Sequence, residues 1–155
     1  MADSPAREFF DKARGWVSGG LFLAGALAII GSLLDWVTFT VAEQAVPGAR
    51  PSEPLSGLDV GDGRWVIGAA VVIIGCAFLL VLRQRAGYAG LAMLASILIG
   101  AISVSDYRGI ADVATEVGLV GIPHAGLGLT LAVAASIVGL LASIAGVAAT
   151  PRTDG

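Results

Sequence analysis

Two stretches of eighteen residues without a charged side chain constrain the fold of this chain more than any other feature. They run from Trp65 to Leu82 and from Tyr88 to Ser105. An α-helix needs about 20 apolar residues to cross roughly 30 Å of hydrocarbon, and a charged residue at its centre costs about 3 kcal/mol. Only 14% of the 155 residues are charged, against about 25% in typical soluble domains. The sequence therefore predicts a multi-pass protein of the cell membrane.

Four segments are long and apolar enough to cross the bilayer, and they predict an all-α fold, a four-helix transmembrane bundle. The predicted spans are 17–39, 65–82, 88–105 and 126–150. They form one transmembrane domain, 17–150, between an N-terminal segment, 1–16, and a short tail, 151–155. A cleaved secretory signal is the alternative for the first span, but its apolar run is longer than usual and no small-x-small cleavage site follows it.

Aromatic residues lie near the predicted ends of the spans, as expected from the enrichment of Trp and Tyr at membrane interfaces. Trp16 and Trp36 are twenty residues apart in the sequence. This separation corresponds to about 30 Å along a helix, which is the thickness of the hydrocarbon core. The predicted interfacial anchors are Trp16, Trp36, Trp65, Tyr88 and Tyr107.

The distribution of basic residues predicts that both termini lie in the cytoplasm. Six of the nine Lys and Arg residues flank the spans on the side of the termini, and short cytoplasmic loops carry the excess of positive charge. The outer side has Arg50, Arg64 and Arg108, outnumbered by seven acidic residues. This acidity argues against an anionic-lipid or nucleic-acid site, and it suits a basic protein partner or serves only solubility.

The N-terminal segment predicts an amphipathic helix on the inner membrane surface. Ser4 can cap this helix and Pro5 fits its first turn. Its aromatic residues then fall on one face, with most charged residues elsewhere. A disordered tail is the alternative.

Rows of small residues predict how the spans pack, because helices in lipid associate where small residues let their backbones approach. The fourth span has two such rows, so both serve the internal bundle or one is left for a partner's helix. The predicted packing residues are Gly20, Ala24, Ala28 and Ser32 in the first span, Ala92, Ser96 and Gly100 in the third, and Gly128, Ala132, Ser136, Ala135, Gly139 and Ser143 in the fourth.

Short patterns predict local structure in the outer loops. The β-branched alternation at Val37–Val41 and the turn-rich segment Leu55–Gly63 predict a small β-hairpin in the first loop. Helical spacing from Ile110 to Val117 predicts a separate short helix in the second loop, followed by a turn at 121–124. His124 in that turn could sense pH near neutrality or act as a solvated interfacial residue.

Three acidic residues of the outer side have two interpretations each. Asp59 and Asp62 resemble a calcium loop without its twelve-position ligand spacing, or they form a turn that starts the second span. Asp35, beside Trp36, either marks the depth at which the membrane ends or forms a latch. In the latch, it would pair with Arg64 or Arg108 and fix the first loop over the bundle.

Four short motifs resemble those of small four-span membrane proteins of actinobacteria. They are Gly-x-x-Leu-x-Trp at Gly31–Trp36, Ser56-Gly57 followed by Asp62-Gly63, Tyr107 at the outer end of the third span, and Gly-x-Gly-Leu at Gly126–Leu129. Members of that family would carry proline where this chain has Asp35. The topology is also similar to that of claudins, without the cysteine pair of their outer loop. The resemblance implies a fold and a membrane setting and transfers no catalytic residue.

These features predict a non-enzymatic accessory or assembly subunit of a larger cell-envelope complex for respiration, secretion or lipid export. Its partners would be membrane lipids and either other membrane-protein subunits or further copies of itself. A homo-oligomeric channel or transport unit is one alternative, although the spans lack the central charges of most transport pathways. A prophage or stress-related membrane factor is another.

No catalytic, cofactor-binding or metal-binding residue is predicted. The acidic residues have no evident nucleophile or metal partner in the sequence. One cysteine and one histidine also make a poor transition-metal site.

Overall fold

Four long helices form a bundle that carries a small β-sheet at one end. The computed structural model describes residues 5–40, 54–60, 62–83, 85–116 and 122–149. In chain order, the elements are α1 (Pro5–Leu33), β1 (Asp35–Thr40), β2 (Leu55–Ser56), α2 (Gly57–Val60), α3 (Gly63–Arg83), α4 (Ala86–Glu116), β3 (Ile122–Ala125) and α5 (Leu127–Ala148).

The prediction of four membrane-length helices is confirmed for the described part of the chain. The helices that are long and apolar enough to cross a membrane are Gly15–Leu33 within α1, Gly63–Arg83, Gly87–Ile110 within α4, and Leu127–Ala148. A helix satisfies its backbone hydrogen bonds internally, as the hydrocarbon core requires. The side of the membrane that holds the termini stays a prediction.

Each long helix packs against two neighbours: α1 and α4 each lie against α3 and α5. Small residues bring these helices close together. A Cβ added at Gly139 would overlap Ser96 Oγ, and one added at Gly100 would lie 3.1 Å from Ser136 Oγ. Close approach of this kind is how helices associate in lipid.

The predicted packing residues all lie within or at the edge of this bundle. They are buried except for Gly20 and Gly100, which are half-buried. Both rows of α5 are buried, so in the described chain neither row is left exposed for a partner's helix.

The first predicted span, 17–39, is wrong at its end, because α1 ends at Leu33 and residues 35–40 form β1. The alternating β-branched residues of this segment favour a strand. Both edges of β1 find antiparallel partners, since Asp35 is opposite Ser56 of β2 and Thr38 is opposite His124 of β3. The predicted pairing of the two ends of the first loop is present, with a third strand added in the order β2-β1-β3.

The second loop also differs from the prediction, because α4 continues to Glu116. The third span was expected to end at 105, with a separate helix from Ile110. No proline interrupts the residues between them, so the helix continues. The predicted turn at 121–124 is wrong as well, since most of it belongs to β3 at the edge of the sheet, where Pro123 is tolerated.

The N-terminal segment is continuous with the first span, since α1 begins at Pro5. The predicted cap, Ser4, lies outside the described residues, as do the tail 151–155 and most of the first loop. The predicted spans 65–82 and 126–150 differ from α3 and α5 by at most two residues at each end.

Candidate functional site

Trp36 is the largest fully buried side chain of the described chain, with 1% of its surface exposed. Its indole Nε1 donates a hydrogen bond to the carbonyl oxygen of Gly31 at 2.8 Å. The last four carbonyl groups of a helix have no partner within the helix, so Trp36 caps the end of α1. The predicted interfacial role of Trp36 is therefore wrong, because an anchor at the membrane surface needs an exposed ring.

The other predicted anchors have more exposed rings. Trp16 is 76% exposed, and Trp65 and Tyr107 are each 60% exposed, whereas Tyr88 is half-buried. The guanidinium of Arg64 lies over the Trp65 ring, 5.7 Å from its centroid, within the range of a cation–π interaction.

Glycines from two distant segments surround the buried indole. A Cβ on Gly57 would lie 2.6 Å from Trp36 Nε1, and a Cβ on Gly128 would lie 2.8 Å from Trp36 Cδ1. Neither position has room for a side chain. The backbone N–H of Gly126 donates to the Trp36 carbonyl oxygen at 2.8 Å. We name this set the tryptophan junction: Gly31, Trp36, Gly57, Gly126 and Gly128.

Three of the four sequence motifs meet at the tryptophan junction. The motif Gly31–Trp36 supplies both the indole and the carbonyl that it caps, Ser56-Gly57 supplies one wall, and Gly126–Leu129 supplies the other. In the paired motif Asp62-Gly63, Gly63 in turn packs against the backbone of Gly57. The motifs are far apart in the chain, so sequence reasoning found them singly and missed that they share one site.

The tryptophan junction fixes the sheet to the bundle. Strand β1 contains Trp36 itself, pairs with β2 from the first loop, and pairs with β3 from Val37 opposite Ala125 to Thr40 opposite Ile122. Backbone pairing thus joins parts of both loops into one surface. We name β1, β2 and β3 together the sheet platform. His124 lies on it with its side chain exposed.

A cavity of about 150 Å³ lies between β1, α4 and α5. Asp106 is the charged residue of its lining, and Asp106 Oδ2 is buried without a hydrogen-bond partner among the described residues. The carboxyl group of Asp62 is close enough to interact electrostatically with that of Asp106. Since water occupies about 30 Å³ in the liquid, the cavity has room for a few waters or for a small donor group. Its lining residues are Trp36, Val37, Ser105, Asp106, Gly109, Ile110 and Leu129.

No protein-family model matches this chain, and no curated protein or solved structure is significantly similar to it. The resemblance to actinobacterial four-span proteins therefore stays a prediction. The candidate site is defined by its geometry alone.

Asp59 has a structural role at the start of α2. Its Oδ2 accepts hydrogen bonds from the Ser56 hydroxyl at 2.7 Å and from the Ser56 backbone N–H at 3.0 Å. The Asp59 N–H in turn faces Ser56 Oγ at 3.4 Å, which completes a capping box. The hydroxyl, and then the backbone N–H, lower the pKa of Asp59 below its ordinary value. The spacing Ser-x-x-Asp was the sequence signal for this box.

Asp62 begins the next helix, because its backbone carbonyl accepts the N–H groups of Trp65 and Val66. The two aspartates of the suggested calcium loop thus serve two different helix starts. Within the ranges that the structure describes, no group of three or more His, Cys, Asp or Glu residues is placed to hold a metal ion.

The predicted latch through Asp35 is not formed. The Asp35 side chain is exposed, and it makes no ion pair with Arg64 or Arg108, all three being described residues. The loops are held instead by the backbone pairing of β1 and by the tryptophan junction. Of the two interpretations of Asp35, the depth marker is untested.

Proposed function

We propose that this chain is a non-enzymatic accessory or assembly subunit of a larger cell-envelope complex, and that it contacts its partner through the sheet platform. The observation that carries this proposal is the attachment of the platform, whose central strand is fixed to the bundle by the buried indole of Trp36. A surface that is already ordered loses little conformational freedom on binding. The platform is therefore suited to recognition.

The interior of the bundle favours a structural role over transport. The hydroxyls of Ser32, Ser96 and Ser136 donate to carbonyl groups of their own helices at 2.8–2.9 Å. These three hydroxyls are thus used within the helices and are not offered to a solute, whereas those of Ser18, Ser103 and Ser143 are buried without a partner among the described residues. A transport unit would have to build its polar path between copies of the chain.

The predicted orientation in the membrane indicates which surface charge would suit a partner of the sheet platform. With both termini in the cytoplasm, the platform would lie on the outer side, where the sequence is acidic. Asp35 and Asp59 are exposed there, so a partner with a basic surface would be complementary.

Charge reversal on the platform tests this proposal. The full chain would be tagged, crosslinked in its native membrane and purified in mild detergent, alongside the variants D35K and R85E. Asp35 makes no ion pair with Arg64 or Arg108, so D35K should fold normally, and Arg85 is an exposed residue at the opposite end of the bundle. We expect a stoichiometric membrane partner with the wild type and R85E, and its loss with D35K.

Two results would contradict the proposal. If the wild type repeatedly purified alone at monomer size, the chain would have no stable partner. If D35K kept the partner while R85E lost it, the sheet platform would not be the contact surface.

A further inference from the structure

A second surface feature lies outside the sheet platform, in a groove between α4 and α5. Its volume is about 300 Å³. Val104, Tyr107 and Arg108 line it from α4, and Thr130 and Val133 line it from α5.

The positions of these residues on α4 separate the groove from the cavity beneath the platform. Residues three and four apart in a helix lie on one face, and Val104, Tyr107 and Arg108 have this spacing. The cavity is lined instead by 105, 106, 109 and 110, which lie on the opposite face of the same turns. The groove is therefore on the outer surface of the bundle.

The groove opens where the close packing of α4 on α5 stops. The two helices are in close contact at Gly100, where an added Cβ would lie 3.1 Å from Ser136 Oγ. One turn further along α4 the residue is Val104, whose larger side chain is 43% exposed. Both helices belong to membrane-length spans here, so the apolar walls of the groove face the region of lipid acyl chains.

Arg108 places a positive charge at the end of this apolar groove. It lies two residues before the end of the span Gly87–Ile110, is exposed, and forms no ion pair with any described residue. The adjacent Tyr107 is 60% exposed and carries a hydroxyl donor. A guanidinium is well suited to a phosphate, because its planar donors can form two parallel hydrogen bonds with it.

We propose that this groove binds an anionic phospholipid, with an acyl chain along Val104 and Val133 and the phosphate at Arg108. The occupant follows from the combination of an apolar wall inside the span and a cation at its end that forms no ion pair with any side chain that the structure describes. The surrounding face of the protein is acidic, so general attraction does not explain an anionic lipid there. Binding at this position requires the local contact with Arg108.

Native mass spectrometry of the detergent-purified full chain tests the proposal. The protein would be mixed with equal amounts of phosphatidylglycerol and phosphatidylcholine that carry the same acyl chains. We expect one retained phosphatidylglycerol and a preference for it of about tenfold. Both lipids offer a phosphate to Arg108, but the choline ammonium of phosphatidylcholine offsets the negative charge that the guanidinium attracts. R108Q should abolish the preference, and V133W, which fills the groove, should remove both lipids.

Arg64 provides the matched control, because it is also exposed and also adjacent to an exposed aromatic residue. R64Q should keep the tenfold preference. Circular dichroism and elution volume would verify that each variant is folded. Equal retention of the two lipids by the wild type would overturn the proposal, as would an equal loss in R64Q and R108Q. Displacement of the lipid by soluble glycerol phosphate would show a site for free anions instead, and would also overturn it.

Discussion

Gly128 is the position at which one added methyl group should most disturb the tryptophan junction. In the variant G128A the new Cβ would lie 2.7 Å from the Leu34 carbonyl oxygen and 2.8 Å from Trp36 Cδ1, and it would overlap the Gly31 carbonyl. Two of these three neighbours are backbone atoms, which cannot rotate away. Either α5 or the turn after α1 must therefore move.

The magnitude follows from three contributions. Overpacking costs about 1–3 kcal/mol. Movement of the turn also breaks the 2.8 Å hydrogen bond from Trp36 to Gly31, and a buried group left without its partner costs about 1–3 kcal/mol. Alanine is a better helix former than glycine by up to about 1 kcal/mol, and this gain opposes the first two costs. We therefore expect G128A to lower the free energy of unfolding by about 1–5 kcal/mol.

Gly75 is the matched control, since it lies on the exposed surface of α3 with no atom within 4 Å of an added Cβ. G75A should be neutral or stabilise by up to about 1 kcal/mol, the difference in helix propensity. Both free energies would be measured by SDS-induced unfolding in mixed micelles, followed by circular dichroism. If G128A and G75A changed stability equally, the close approach at Gly128 would not hold the sheet platform on the bundle.

Further predictions concern the indole cap, the core hydroxyls and the capping box. W36F should destabilise by about 1–3 kcal/mol through the lost bond to Gly31, while W65F, at an exposed ring, should stay within about 0.5 kcal/mol in the same unfolding assay. S96A removes a hydroxyl bonded to its own helix and should cost about 0.5–1.5 kcal/mol, whereas S103A removes a buried hydroxyl without a described partner and should be neutral or stabilising. Because the folded pKa of Asp59 is lowered, its contribution to stability is present above its ordinary pKa of 3.8 and is lost as pH falls through the lower folded value. An NMR titration should place its midpoint below 3.8, and a midpoint at or above that value would contradict the capping box.

The sequence was sufficient to predict the four helices, because a charge-free run of eighteen residues fits few structures other than a membrane-spanning helix. The sequence was insufficient to predict the burial of Trp36, since hydropathy and spacing do not show whether an aromatic residue at the end of a span faces lipid or the protein interior. That outcome depends on Gly57 and Gly128, which approach the indole only in the folded chain. Strand β3 was missed for a similar reason, because a four-residue strand with a proline has no clear period of its own and is formed by pairing with β1.

The largest error in the predicted boundaries is also the reason why the sequence did not predict the cavity beneath the sheet platform or the groove between α4 and α5. The sequence places the end of the third span at Ser105, where Asp106, Tyr107 and Arg108 bring polar groups after a long apolar run. The structure continues α4 through these residues, and the helix then sends its polar side chains to opposite faces. Asp106 lines the cavity beneath the sheet platform, while Tyr107 and Arg108 line the groove between α4 and α5. A loop beginning at 106 would form neither the wall of the cavity nor the wall of the groove. The polar residues that suggested the end of the span are therefore the ones that give this end of α4 its two distinct surfaces.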